Sequence, residues 1–100
     1  MNQQIILIDA TTTITGGAVQ FQFPAWTVQA SVTGTGAVTA TVEIHVSQDA
    51  EGWMTIGTIT LSGTTLASDG FAAAAPWGFV RAKVTAITGT GAKVKVIVGA

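Results

Sequence analysis

The chain has 100 residues, four Lys or Arg against five Asp or Glu, and no cysteine, which excludes a disulfide framework and any thiolate metal cluster. That length suits a single domain, residues 1–100, with a core large enough to need no covalent staple. Only 9% of residues are charged and 48% are hydrophobic, against roughly 25% charged in an average domain, so the sequence argues against a nucleic-acid binder and for a surface partly covered by other molecules.

In chain order, the first apolar run is Ile5 to Ile8, placed on a strand over 4–10. It is apolar on both faces, so it should be covered on both sides, as a core strand or as an arm on another subunit. The run is far shorter than the ~20 apolar residues of a membrane span and lacks the basic start of a secretory signal. The expectation is a soluble chain made without an export signal, with no membrane partner. "GAVQFQF" gives a strand over 18–24, with Val19, Phe21 and Phe23 facing the core.

"TVQASVT" and "VTATVEIHVS" alternate apolar and polar residues with a period of two, the pattern of half-buried strands. They predict strands over 27–33 and 38–47. Similar alternation predicts strands over 53–62, 65–73, 79–88 and 93–99. The run Ala72 to Ala75 is too short to nucleate a helix, and Pro76 pushes Ala75 toward extended geometry. About eight short strands with turn signals between them predict an all-β antiparallel β-sandwich, jelly-roll-like, with no substantial helix.

"TGTGA" occurs at 33–37 and again at 88–92. Three-residue hairpin loops commonly end on a residue at positive φ, which glycine supplies without a steric clash. Each copy is therefore read as a hairpin turn, with Gly34, Gly36, Gly89 and Gly91 as structural turn residues. Under that register Val32 pairs with Val38, Val28 with Val42, and Ile87 with Lys93. A phosphate cradle would need a longer spacing, a following Lys-Ser/Thr pair and a helix, none of which is in the sequence.

All four cations, Arg81, Lys83, Lys93 and Lys95, fall in the last two predicted strands, and their parity puts them on one face. Two readings stand: a solvated face that discourages edge pairing, or a patch that docks on an acidic neighbour. His45 is the only histidine and shares a face with Glu43. It is read as an exposed strand residue that can hydrogen bond to that carboxylate. Asp49 and Glu51 belong to a turn, because two carboxylates fall short of the six to eight oxygens that calcium takes. No catalytic residue, metal site or cofactor site is expected. Among Trp26, Trp53 and Trp77, Trp77 in "APWGFVR" is the best candidate for an exposed or interface position. An exposed Trp77 or Trp26 in a groove would suit sugar stacking instead.

The stretches "VSQDAEGWMTIGTITLSGT" and "DGFAAAAPWGFVRAKVTAITGTGAKVKVIVG", with the opening "IILIDATTTIT", resemble small β-sandwich virion proteins of tailed bacteriophages. The resemblance spans nearly the whole chain. It implies a structural virion protein rather than an enzyme, most of all a capsid decoration or cement protein that stabilises the shell from outside. A tail, neck or fibre module of the virion is the alternative, with a carbohydrate-binding module behind it. The implied partners are the major capsid protein or another virion protein, and further copies of the chain as a dimer or trimer. Arg81, Lys83, Lys93, Lys95, Trp77, Ile5 and Leu7 are the candidate interface residues. No catalytic residue carries over.

Overall fold

The computed structural model describes residues 4–20, 24–73 and 77–99, and the regular elements within them are all strands. β1 (Gln4–Ala10) is followed by two short strands, β2 (Ile14–Thr15) and β3 (Val19–Gln20). Three long strands complete the chain: β4 (Trp26–Ser47), β5 (Met54–Ala73) and β6 (Phe79–Gly99). Every pairing is antiparallel, in one six-stranded sheet. Its order is β1-β6-β4-β5, and β2 and β3 pair with the stretch of β6 that β1 leaves open.

Among the described residues the strands number six rather than eight, because three pairs of expected strands are continuous and one short strand, β2, was not expected. The segments 27–33 and 38–47 are both β4, 53–62 and 65–73 are largely β5, and 79–88 and 93–99 are β6. Of the expected strand over 18–24, Val19–Gln20 form β3; Phe21 and Phe23 lie outside the described residues, as do Ala74 and Ala75 of the alanine run.

The long strands are bent. A straight strand the length of β4 would span about 70 Å, whereas the longest dimension of the molecule is 38 Å. Register shifts between Thr33 and Ala37 against β5, and between Thr33 and Thr39 against β6, mark the bend. It divides each long strand into two arms that fold toward each other. A Cβ on Gly57, in one arm of β5, would lie 2.6 Å from the ring of Phe71 in the other. Gly16, beside β2, is similarly wedged between Ile8 of β1 and the Ala82 carbonyl of β6.

A single core lies between the arms. β4 contributes Val28, Ala30 and Val32 from one arm and Val38, Val42, Ile44 and Val46 from the other. β6 adds Val80, Val84, Val94, Val96 and Val98, and β5 adds Ile59 and Leu61. Valine and isoleucine pack well on a pleated surface, and each fully buried one contributes roughly 1.5–3 kcal/mol. The alternate positions carry Thr, Ser and Gln to the outer faces, where Ser31 and Ser68 hydrogen bond at 2.9 Å and Thr39 bonds Thr88.

The hairpin reading of "TGTGA" is therefore overturned. Gly34, Gly36, Gly89 and Gly91 lie inside β4 and β6, and the two copies sit side by side across the bend, with Thr35 opposite Thr90. Gly36 and Gly91 have positive φ, 85° and 66°, at a corner rather than in a reversal of the chain. Val32 pairs with Val94 and Ala67 instead of Val38, and Val28 with Val98 and Phe71 instead of Val42. Ile87 pairs with Ala40 rather than Lys93. A reason lies in the charges. Local hairpins would crowd four cations onto two adjacent strands, whereas the observed register sets Lys83 opposite Glu43 and Lys95 opposite Asp9.

Candidate functional site

The bend also divides the cations. Arg81 and Lys83 occupy the outer face of one arm of β6, and Lys93 and Lys95 that of the other. Since the arms close on each other by their inner faces, the four do not form one patch. Lys93 Nζ lies 3.2 Å from Asp9 Oδ1 of β1, and both side chains are about half exposed. With Lys95, Ser31 and Thr33 they line a shallow dish of about 240 Å³. Lys83 is exposed beside Thr15 and Glu43, its cross-strand neighbours.

Arg81 belongs to a tighter assembly. Its Nε donates to His45 Nδ1 at 3.1 Å, and its guanidinium lies over the Trp53 ring, 4.2 Å from the centroid. A ring that accepts at Nδ1 carries its proton on Nε2, which donates to Glu43 Oε1 at 3.0 Å. His45 is only 7% exposed, which corrects its expected exposed position. The cover comes from Arg81, its partner on β6. Both ring nitrogens are held by protein groups, so in this form the ring offers no free lone pair for proton abstraction. The shared parity of Glu43 and His45 made their contact readable from sequence. The approach of Arg81 and Trp53 depends on pairing across the sheet.

At the end of β4, Ser47 and Asp49 build the turn. Ser47 Oγ accepts from the amides of Asp49 and Ala50 and donates to Asp49 Oδ1. The same Oδ1 accepts from the amides of Gly52 and Glu51, at 3.0 Å each. Those two backbone bonds, with the Ser47 hydroxyl behind them, hold the Asp49 carboxyl below the usual carboxylate range. Among the described residues no three metal-ligating side chains converge. Nor is any described helix long and apolar enough to cross a membrane.

The apolar candidates are redistributed. Leu7 is 8% exposed and belongs to the core, so it is not available as an interface residue, while Ile5 is half-buried. A bulge between Ile6 and Ile8 turns Leu7 and Ile8 inward together and leaves Ile6 55% exposed, opposite Ile97. The expected cover on both sides of Ile5–Ile8 is therefore not made within the chain at Ile6. Trp77 is half-buried and packs against the core, and Trp26 is buried in it. Trp53, beneath Arg81, has a ring face already taken. Met54 and Leu66, both exposed and both on β5, were not singled out from sequence, because their strand alternation gave no sign of which residues an edge leaves open.

Compared with family models, with curated proteins and with solved structures, the chain matches none of them.

Proposed function

We propose that the chain is a structural protein of a tailed-bacteriophage virion: a capsid decoration protein that binds the outer surface of the shell and stabilises it as a homo-oligomer. In this reading the doubled sheet is a jelly-roll-like β-sandwich, and the protein works by contact area rather than by chemistry. The observation that carries it is the outer surface, where Thr and Ser rows on both arms are interrupted by few charges. A surface of this kind suits burial against neighbours. Repeated by the symmetry of a shell, modest contacts gain from linkage, because each bound site raises the effective concentration at the next. The resemblance of the Ser47–Gly52 turn, "TIGTITLSGT" and the Trp77–Arg81 stretch to phage virion proteins supports the assignment to a virion.

The test is to add the protein to shells assembled from the major capsid protein encoded in the same genome. Cosedimentation and a higher temperature of shell disruption are expected. Shells that neither retain the protein nor gain thermal resistance would overturn the reading.

A further inference from the structure

We infer that the free edge of β5, over its first arm, is a self-association surface on which a second copy of this chain pairs its own β5 antiparallel about a two-fold axis. The inference rests on the homo-oligomeric part of the proposed function and gives it a location. β5 is the last strand in the sheet order, so nothing among the described residues pairs with its outer side. An open edge carries a row of unpaired amides and carbonyls, and proteins ordinarily blunt it with short strands, bulges, lysines, prolines or inward-turned charges.

The opposite edge has such protection. It is broken into β1, β2 and β3, of 7, 2 and 2 residues, with a bulge at Leu7 and Asp9 near its end. The second arm of β5 has it too, since Asp69 pairs with Ala30, a core position, and so is a charge turned inward at an edge. The first arm has only one such device, the extra residue Ile56 near its start, and none from Gly57 to Gly63. From Met54 to Ser68 the strand carries no charged residue and no proline, and Thr55, Ile56, Thr58, Ile59 and Thr60 are all β-branched. Such a segment, left open, is a pairing hazard unless something covers it.

The occupant follows from the chemistry. Left open, the row of backbone groups is hydrated, and the partner that pairs with all of it at once is another strand, which must match an uncharged face. β1 of a second copy offers a strand interrupted midway by its bulge and carrying Asp9, whereas β5 offers an equal, uncharged stretch beyond Ile56. Against β4 the straight stretch runs from Gly57, after the extra residue Ile56, to Gly63 at the bend. A two-fold at its centre, Thr60, sets Ile59 opposite Leu61 of the copy on the core side and Thr58 opposite Ser62 on the outer side. No like charges meet there, and Asp69 lies beyond the bend. Because the pairing consumes the β5 edge of each copy and the opposite edge is guarded, the assembly closes as a dimer instead of growing into a fibre.

Native mass and sedimentation of the full chain should give a dimer. The double variant Thr58→Lys, Thr60→Lys brings ammonium groups face to face at the axis and should weaken the dimer about tenfold or more. Its β-type circular dichroism should be unchanged. Ala72→Lys, on the guarded arm, should leave the dimer intact. The chain has no cysteine, so Thr60→Cys supplies a single thiol. It should cross-link to its copy with a short bis-maleimide, and Ala72→Cys should not. This cross-link decides the matter if the lysine variant fails to fold. A monomer, a trimer, or a dimer in which Thr60→Cys does not cross-link would overturn the inference. Failure of the virion role reads out differently, as loss of shell binding whatever the oligomeric state.

Discussion

Arg81 shows how one side chain can organise a local surface. It satisfies the nearly buried His45 and stacks on Trp53, so its removal leaves both without their cover. Arg81→Ala is expected to cost about 1–2 kcal/mol, summing a modest hydrogen bond and a partly exposed cation–π contact. Arg81→Lys should recover little of it, because an ammonium cannot offer a planar face to Trp53 and an N–H to His45 together. Urea denaturation followed by far-ultraviolet circular dichroism measures both variants, and wild-type stability in Arg81→Ala would refute the role. Asp49 makes a second, pH-dependent contribution. Its carboxyl titrates lower in the folded chain than in the unfolded one, because the amides of Gly52 and Glu51 and the Ser47 hydroxyl favour the ionised form. The unfolded state therefore binds the proton more readily. The stabilisation is complete above the ordinary carboxylate range and is lost as pH falls through the lowered folded value. Asp49→Asn should be less stable than wild type at pH 7, with the gap closing in acid. A gap that is constant with pH would count against this account.

At the scale of the elements, the glycines of the repeat make corners, and they differ in how much they tolerate. Gly91 has φ 66° and open space where a Cβ would go. Gly89 has φ 122°, and a Cβ there would lie 2.8 Å from both the Ala37 carbonyl and the Val38 side chain. Gly91→Ala is expected to cost about 1–2 kcal/mol, the strain of a left-handed residue. Gly89→Ala should cost distinctly more, since β4 must also move. Thermal melts of the two variants give the order, and equal losses would show that the corner yields. The same glycines limited what the sequence could disclose. The alternation of Val28 to Val32 and of Val38 to Val46 made both arms of β4 legible, with their inward residues. Their continuity was not, because Gly-Thr-Gly is as good a turn as it is a bend, and only pairing with β5 and β6 along the whole length favours the bend. The Glu43–His45 contact was legible from parity within one strand. The burial of His45 and the split of the cations depend on register between distant segments. Ile5 to Ile8 hid its bulge, since four apolar residues in a row carry no parity.

For the whole molecule, the continuity of β4, β5 and β6 has a thermodynamic consequence. Each long strand contributes to both arms, and the buried side chains of both meet in one core. Neither arm can be removed as a separate unit without exposing the valines of the other. Val28, Ala30 and Val96 in one arm should therefore lose their pairing in the same event as Val42, Ile44 and Val84 in the other, although the chain is bent between them. Native-state amide exchange tests this directly. The slowest-exchanging amides of the two arms should share a single opening free energy, equal to that of global unfolding. β2 and β3, with only two residues each on the β6 edge, should exchange at far lower cost. Two plateaus, one for each arm, would mean that the bend is a hinge between independently stable sheets. The distinction matters for a protein read as a shell-stabilising brick, since one cooperative unit transmits load across its full thickness and a hinged one yields at the corner.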